Sequence, residues 1–367
     1  MAEDKLYEIA LTMIPGIGDV VARKLIAYCG GVEAVFRESK RNLMKIPGVG
    51  NVISNAIVNQ RVFSAAEFEL TFMQQNNIRA LSFLDDDYPY RLKQCADSPV
   101  VIFVQGNGDL NKDKVVGVVG TRKATEYGKQ FTEQLINDLK SYNVSIVSGL
   151  AYGIDICAHK YCLQQEVSTL AVLGHGLDRI YPPGHRNAAM DIIEKGALIS
   201  EFPSGTTPEK ENFPKRNRII AGMIDALVVV ESAGRGGSII TAEIANSYHR
   251  DVFALPGRVN DPYSEGCNQL IRSNKANLIT SAKDIDYIMG WDVEQTLTEN
   301  THQTELFLTL SKEEEEILGV LSSNTQMAID VLSMSVKMPV SKLIQVLLQM
   351  ELRGLVKALP GKLYRRV

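Results

Sequence analysis

Long hydrophobic runs are missing from this chain. No stretch approaches the ~18 uninterrupted apolar residues of a membrane span, and the N-terminus, MAEDKLYEIA, starts acidic with no apolar signal core. A protein that stays in the cytoplasm is expected. Cysteine is scarce as well: the five present (Cys29, Cys95, Cys157, Cys162, Cys267) form an odd set without CxxC spacing, which argues against a disulfide framework and fits a reducing compartment. Charge of one sign is also lacking. With 39 basic against 43 acidic residues the net charge is −4, so any nucleic-acid binding requires cations concentrated locally.

What is present describes a folded, multidomain protein. Its 367 residues, 45% hydrophobic and 22% charged, suit roughly two to three domains with their own cores. The first eighty residues hold an internal repeat, IPGIGDVVARKLI at 14–26 returning as IPGVGNVISNAIV at 46–58. Each copy places a Pro-Gly-x-Gly hairpin (Pro15, Gly16, Gly18; Pro47, Gly48, Gly50) before a helix. Its glycines permit positive φ and expose backbone amides. Residues 1–80 are therefore read as a SAM-like helical domain resembling helix-hairpin-helix modules, which touch DNA backbones without reading sequence. Simple packing of the two hairpins is the alternative, since flanking bases are few (Arg23, Lys24, Arg61).

From about residue 113 the pattern changes. Short β-branched runs at 115–121, 144–150, 168–174, 197–202, 226–232 and 251–257 alternate with amphipathic helical stretches. The runs are apolar on both faces, as in a parallel sheet covered by helices on each side. This predicts an α/β fold over 113–290, a Rossmann-like doubly wound, mostly parallel sheet with its ligand outside the carboxyl ends of the strands. Residues 81–112 are read as a connecting segment, and 291–310, rich in Thr, Gln, Asn and Glu, as a linker. Beyond it, three helices and the segment LVKALPGKLYRRV, turning at Pro360 and Gly361, predict a winged-helix domain over 311–367. Eight basic and six acidic residues there leave +2, with Lys357, Lys362, Arg365 and Arg366 in the wing. The recognition helix, 339–353, carries only Lys342 and Arg353, so a protein partner suits it as well as DNA.

The loop after the first strand, GTRKATEYG, lacks both GxGxxG and GxxxxGK[ST]. It carries Arg122 and Lys123, with Thr125 placed to cap the next helix. A guanidinium beside helix-N-terminal amides suits phosphate, and a carboxylate partner for Arg122 is the bland alternative. Ser148 and Gly149 end the second strand without the acidic residue that holds a ribose hydroxyl or the glycines of a GxSxG elbow. Small residues admitting a polymer backbone are the expectation there. Cys157, His159 and Cys162 lack metal-ligand spacing, so they are read as core, and neither a metal nor a cofactor is expected. The strongest signal is PEKENFPKRNRIIAGMID at 208–225, where Lys210, Lys215, Arg216 and Arg218 surround Phe213 and Asn217. Cations that track phosphates beside a ring that stacks on bases make a single-strand site. Phe213 anchored in the core, with a merely solvated charge run, is the alternative. Gly236 and Gly237 then open another helix start compatible with phosphate.

The motifs GTRKATEYG, VSGLAYGIDICAH, AVLGHGLDRIYPPGHRN, ISEFPSG, FPKRNRIIAG, GGSIITAEIA and FALPGRVNDPYSEGCNQLI, in this order and spacing, resemble the DprA (Smf) family of DNA-processing proteins. The resemblance implies a homodimer, joined through its Rossmann-like domain, that binds and protects single-stranded DNA without sequence preference. It further implies loading of the RecA recombinase during natural transformation, with no covalent chemistry. By the same resemblance the DNA pocket falls to Arg122, Phe213, Lys215, Arg216, Asn217 and Arg218, with Lys210 and Arg186 beside them. Thr121 stands where serine is usual. Two rivals remain. GRGGSIITAE is similar to the motif of phosphoribohydrolases that activate cytokinins, which would make Glu243 catalytic, although Ser238, Ile239 and Ile240 replace most of its centre. A regulator holding duplex DNA through its wing is the other.

Overall fold

The computed structural model describes residues 2–291, 310–322, 326–359 and 363–366. The chain divides into two compact units, Met1–Glu294 and Gln295–Val367. The first opens with six helices, α1 (Ala2–Met13), α2 (Asp19–Cys29), α3 (Val32–Arg37), α4 (Lys40–Leu43), α5 (Asn51–Val58) and α6 (Phe63–Gln75). The repeated hairpins join α1 to α2 and α4 to α5. Gly16 and Gly48 take φ of +82° and +87°, the left-handed region that glycine enters without steric cost. Gly18 and Gly50 cap α2 and α5.

The sheet follows. Its strands are β1 (Ile78–Ser82), β2 (Val101–Gly106), β3 (Val115–Val119), β4 (Ser145–Ser148), β5 (Ser168–Leu173), β6 (Ala197–Ser200), β7 (Ala226–Val229), β8 (Asp251–Ala254) and β9 (Asn277–Leu278). Between them run α7 (Tyr90–Lys93), α8 (Glu126–Leu139), α9 (Ile154–Gln165), α10 (Arg186–Lys195), α11 (Asn212–Met223), α12 (Gly237–Ser247) and α13 (Glu265–Arg272), and α14 (Ala282–Met289) closes the unit. The strand order is β1-β2-β6-β5-β4-β3-β7-β8-β9. From β6 to β9 every pairing is parallel, and β2 joins β6 antiparallel with Phe103 opposite Ser200. This is the expected Rossmann-like sheet. Residues 81–112, expected as a connection, instead supply α7 and β2, the strand that joins edge strand β1 to the rest of the sheet.

Both faces are covered. Val116 and Val118 of β3 cluster with Leu135 and Ile136 of α8 and Ile154 of α9, while Val115 and Val119 cluster with Ile219 and Ile220 of α11. Alternation along one strand thus feeds two cores. The predicted strands at 115–121 and 226–232 stop at Val119 and Val229, where the chain leaves the ladder to form the rim. Strand order also reverses here: β3 pairs with β4 on one side and β7 on the other.

The helical region is docked on the sheet by polar contacts. Lys5 pairs with Asp85 at 2.5 Å, Arg23 donates to the Cys95 carbonyl at 2.9 Å, and Glu69 accepts from Ser204 N at 3.0 Å. Among the described residues no single helix is long and apolar enough to cross a membrane.

The second unit holds α15 (Lys312–Ser322), β10 (Met327–Ala328), α16 (Ile329–Ser335), α17 (Val340–Leu352), β11 (Val356–Leu359) and β12 (Leu363–Arg366), with sheet order β10-β12-β11. Ile317, Leu321, Leu332, Leu343 and Leu347 form its core. This is the predicted winged helix. The expected turn at Pro360 and Gly361, Lys362 and most of the expected linker lie outside the described residues.

His159 and Cys162 of α9 are fully buried. His159 Nδ1 lies 2.8 Å from Thr169 Oγ1, and burial pushes its pKa from 6.5 down to about 3. The fold therefore holds it neutral, whereas an unfolded chain takes up its proton below about pH 6.5. Stability from this group is present above pH 6.5 and drains away as pH falls toward 3. Acidification from pH 6.5 to 5 is expected to cost roughly 2 kcal/mol through His159 alone. Urea unfolding across that range should show a correspondingly flatter profile for His159→Gln, and an unchanged slope would contradict the assignment.

Candidate nucleic-acid interface

The reversal of strand order leaves a crevice at the carboxyl ends of β3 and β7. A cavity of about 530 Å³ lies there, lined by Arg122, Lys210, Phe213, Arg216 and Asn217 on one side and the start of α12 on the other. The loop after β3 ends in the predicted cap, with Thr125 accepting from Gly128 N at 3.3 Å. Exposed Arg122 sets its guanidinium 5.5 Å from the Phe213 ring centroid, a cation–π distance. It makes no ion pair among the described residues. Lys123 is exposed outside the cavity, its amide donating to Thr121 Oγ1 at 3.1 Å.

The amides of Thr125 and Gly128 at the start of α8 are already engaged, by Glu231 and by the Thr125 hydroxyl. The open helix start facing the cavity is instead that of α12, capped by Gly236, with Ser238 and Thr241 in its first turns. A Cβ on Gly237 would meet nothing within 4 Å, leaving room for a ligand to approach the backbone.

The basic cluster at 210–218 is divided by its own helix. At about 100° per residue, Phe213, Arg216, Asn217 and Ile220 fall on one face of α11 and line the cavity. Lys215 and Arg218 fall on the other, lining a second cavity of about 500 Å³ with Asp19 and Glu201. Phe213 rests its ring on Gly174, where a Cβ would lie 3.1 Å away, and is partly buried. Arg216 is 4% exposed. It donates to the carbonyls of Gly149 (2.7 Å) and Val172 and, through Nε, to Asn217 Oδ1 at 3.2 Å. Burial pulls its pKa down to about 10, opposed by Asp155, so it stays charged at neutral pH. Burial likewise pushes Asp155 up, against the pull of Arg216 and backbone amides.

Ser148 and Gly149 do not line the cavity. Ser148 is fully buried and donates to the Val118 carbonyl at 2.6 Å. Gly149 makes room for a side chain of this same protein, since a Cβ there would sit 2.5 Å from the Arg216 guanidinium. Arg186 starts α10 and lines a separate cavity of about 330 Å³ with Arg179. Arg218 bonds Asp19 at 3.0 Å, Glu201 and the Asp97 carbonyl. Asp19 opens the first hairpin's helix and also accepts from Val100 N at 2.9 Å, so this helix start is anchored, while Pro15, Gly16 and Gly18 of the hairpin itself are exposed. Glu243 is outside the cavity, 3.2 Å from Lys275. Sequence reading missed Asp155 and Tyr181. The Tyr181 ring, 41% exposed, lies 6.1 Å from that of Phe213, and only the fold brings the two together.

Residues 79–289 match the family model described as DNA recombination-mediator protein A, and 306–362 match that of the DprA winged helix domain. The chain belongs to the DprA family. It is 37% identical over 279 residues to the DNA processing protein DprA of Streptococcus pneumoniae, covering 76% of this chain and 96% of that one. Protein Smf of Synechocystis is 36% identical over 291 residues, 78% of this chain and 73% of its own length. The crystal structure of the S. pneumoniae protein superposes with a TM-score of 0.64 at 35% identity, covering 78% of this chain and 97% of that one. DNA processing protein A of Helicobacter pylori, whose structure addresses its single-stranded DNA binding mode, superposes with a TM-score of 0.53 at 28% identity over 59% of this chain and 97% of its own. Membership in the family assigns the chain to DNA processing in recombination.

Removing Arg218 would leave Glu201, 12% exposed in its side chain, buried without its cation. Arg218→Ala is expected to lower the unfolding free energy by about 3 kcal/mol, the cost of breaking a buried pair, measured in urea. Normal stability with strongly reduced DNA affinity would instead return Arg218 to the DNA-contacting set.

Proposed function

We propose that this protein binds single-stranded DNA without sequence preference in the cavity beyond β3 and β7, protects it, and loads RecA onto it during natural transformation and recombination. It acts in the cytoplasm as a homodimer joined through the Rossmann-like domain, and performs no covalent chemistry. The observation that carries the reading is Arg122 held over Phe213 opposite the start of α12. A cation, a ring and backbone amides recognise features that every nucleotide shares, phosphate and a π-face. The single-stranded DNA binding mode of the H. pylori protein supports this reading. Dimerisation and the RecA step rest on the family resemblance.

Two placements favour binding over catalysis. The Ser148 hydroxyl is committed to the Val118 carbonyl, and Glu243 is paired with Lys275 away from the cavity.

Gel shifts with single-stranded oligonucleotides test the proposal. Arg122→Ala and Phe213→Ala should each weaken binding about tenfold, the scale of one base-stacking or charge-assisted contact, with unfolding midpoints near wild type. Log affinity should fall with log salt at about −0.7 per phosphate contacted. Failure to bind unpaired strands at low salt, with release of free base from nucleoside monophosphates, would replace this function with the phosphoribohydrolase one.

A further inference from the structure

Glu231 follows β7 and is 1% exposed, yet no basic side chain pairs with it among the described residues. Its hydrogen bonds run to the loop that carries Arg122. The Glu231 carbonyl accepts from Thr121 N at 2.7 Å. Its Oε2 accepts from Thr125 N at 2.9 Å, and its Oε1 accepts from the Thr125 hydroxyl. One residue just beyond the neighbouring strand therefore grips both ends of the segment 121–125, with Arg122 between the grips.

The surroundings show that the carboxylate is built into the fold. Gly128, in the first turn of α8, lies so close that a Cβ would be 2.4 Å from Glu231 Oε2. The start of α8 thus closes over the carboxylate, and its positive dipole end offsets the cost of burying an anion without a cation. From the other side the start of α9 closes on the same loop. Ile154 N donates to the Thr121 carbonyl at 3.1 Å, and a Cβ on Gly153, at φ +79°, would lie 2.1 Å from that oxygen.

Arg122 has no ion pair of its own among the described residues. Where its guanidinium sits over Phe213 is set by the backbone beneath it, and that backbone is tied to Glu231. We propose that Glu231 is a positioning residue of the DNA site, which holds the 121–125 loop in its binding-ready form so that Arg122 meets a phosphate without a reordering cost. A loop already in its bound conformation binds more tightly because the ordering entropy is not charged to the ligand. The inference rests on the single-strand reading above.

A double-mutant cycle on the full chain tests it, with anisotropy of a labelled oligothymidylate as the readout. Glu231→Gln keeps the size and one acceptor but loses the charge and the second acceptor. It should weaken binding about tenfold, the scale of a lost charge-assisted contact, and flatten the salt slope by about 0.7, as the loss of one phosphate contact does. In an Arg122→Ala background the same change should cost less than about twofold more, because the two residues act through one contact. A purely structural role would lower stability without that coupling. Should Glu231→Gln fail to fold by circular dichroism, the cycle is run with Thr125→Ala, which removes the hydroxyl donor. That variant should couple to Arg122 in the same way and be rescued by Thr125→Ser. Wild-type affinity in Glu231→Gln, or an undiminished loss in the Arg122→Ala background, overturns the role of Glu231 while leaving the single-strand site standing. A wild-type protein that ignores oligothymidylate at low salt overturns both.

Discussion

The site depends on the reversal of strand order at β3. Because β3 pairs with β4 on one side and β7 on the other, the loops leaving β3 and β7 diverge and open a crevice between them. Each later feature is placed against that gap. The Arg122 loop follows β3, α12 starts after β7, and α11 crosses the face of the sheet to bring Phe213 to the rim. Close approach sharpens the arrangement: a Cβ on Gly120 would lie 2.5 Å from Ile154, so β3 ends directly beneath α9.

α11 divides the work of its charges. Its cavity face carries Arg216, whose buried guanidinium braces the carbonyls of Gly149 and Val172 and so ties the ends of β4 and β5 together beneath the cavity. Its opposite face carries Arg218, which joins Asp19 of the helical region to Glu201. A chain of net charge −4 thereby presents cations where a polyanion would lie, while spending others on its own architecture. The two hairpins of the repeat diverge in the same way. The Pro-Gly-x-Gly residues are exposed in both, but the helix after the first is anchored through Asp19 to Val100 and Arg218.

Much of the fold was legible because a parallel strand buried on both faces leaves a near-continuous apolar run, as at 115–119 and 145–148. The predicted ends overshot where the chain stays buried after leaving the ladder. Glu231 and Ser232 are buried yet belong to the rim, and burial alone does not mark the last ladder bond. β2 went unassigned because an isolated apolar run carries no sign of the edge it will join. Of its two antiparallel partners, β6 lies nearly a hundred residues away in sequence and β1 carried no strand assignment either. Within the site, Arg122, Thr125 and Phe213 announced themselves through local chemistry: a charged loop after a strand, a capping hydroxyl and a ring among cations.

By itself, then, the sequence determined the layered α/β class, the repeat with its positive-φ glycines and the family, because those reside in local periodicity and in motif order. Tertiary structure alone decided which cations are available. Helical rotation sent Arg218 to Asp19 and Glu201, burial turned Arg216 inward, and long-range approach set Tyr181 beside Phe213 and Glu231 beneath the Arg122 loop. The physical reason is that adjacency along a chain records charge and size, whereas a side chain's partners are fixed by direction and desolvation, which exist only once the helices are laid on the sheet.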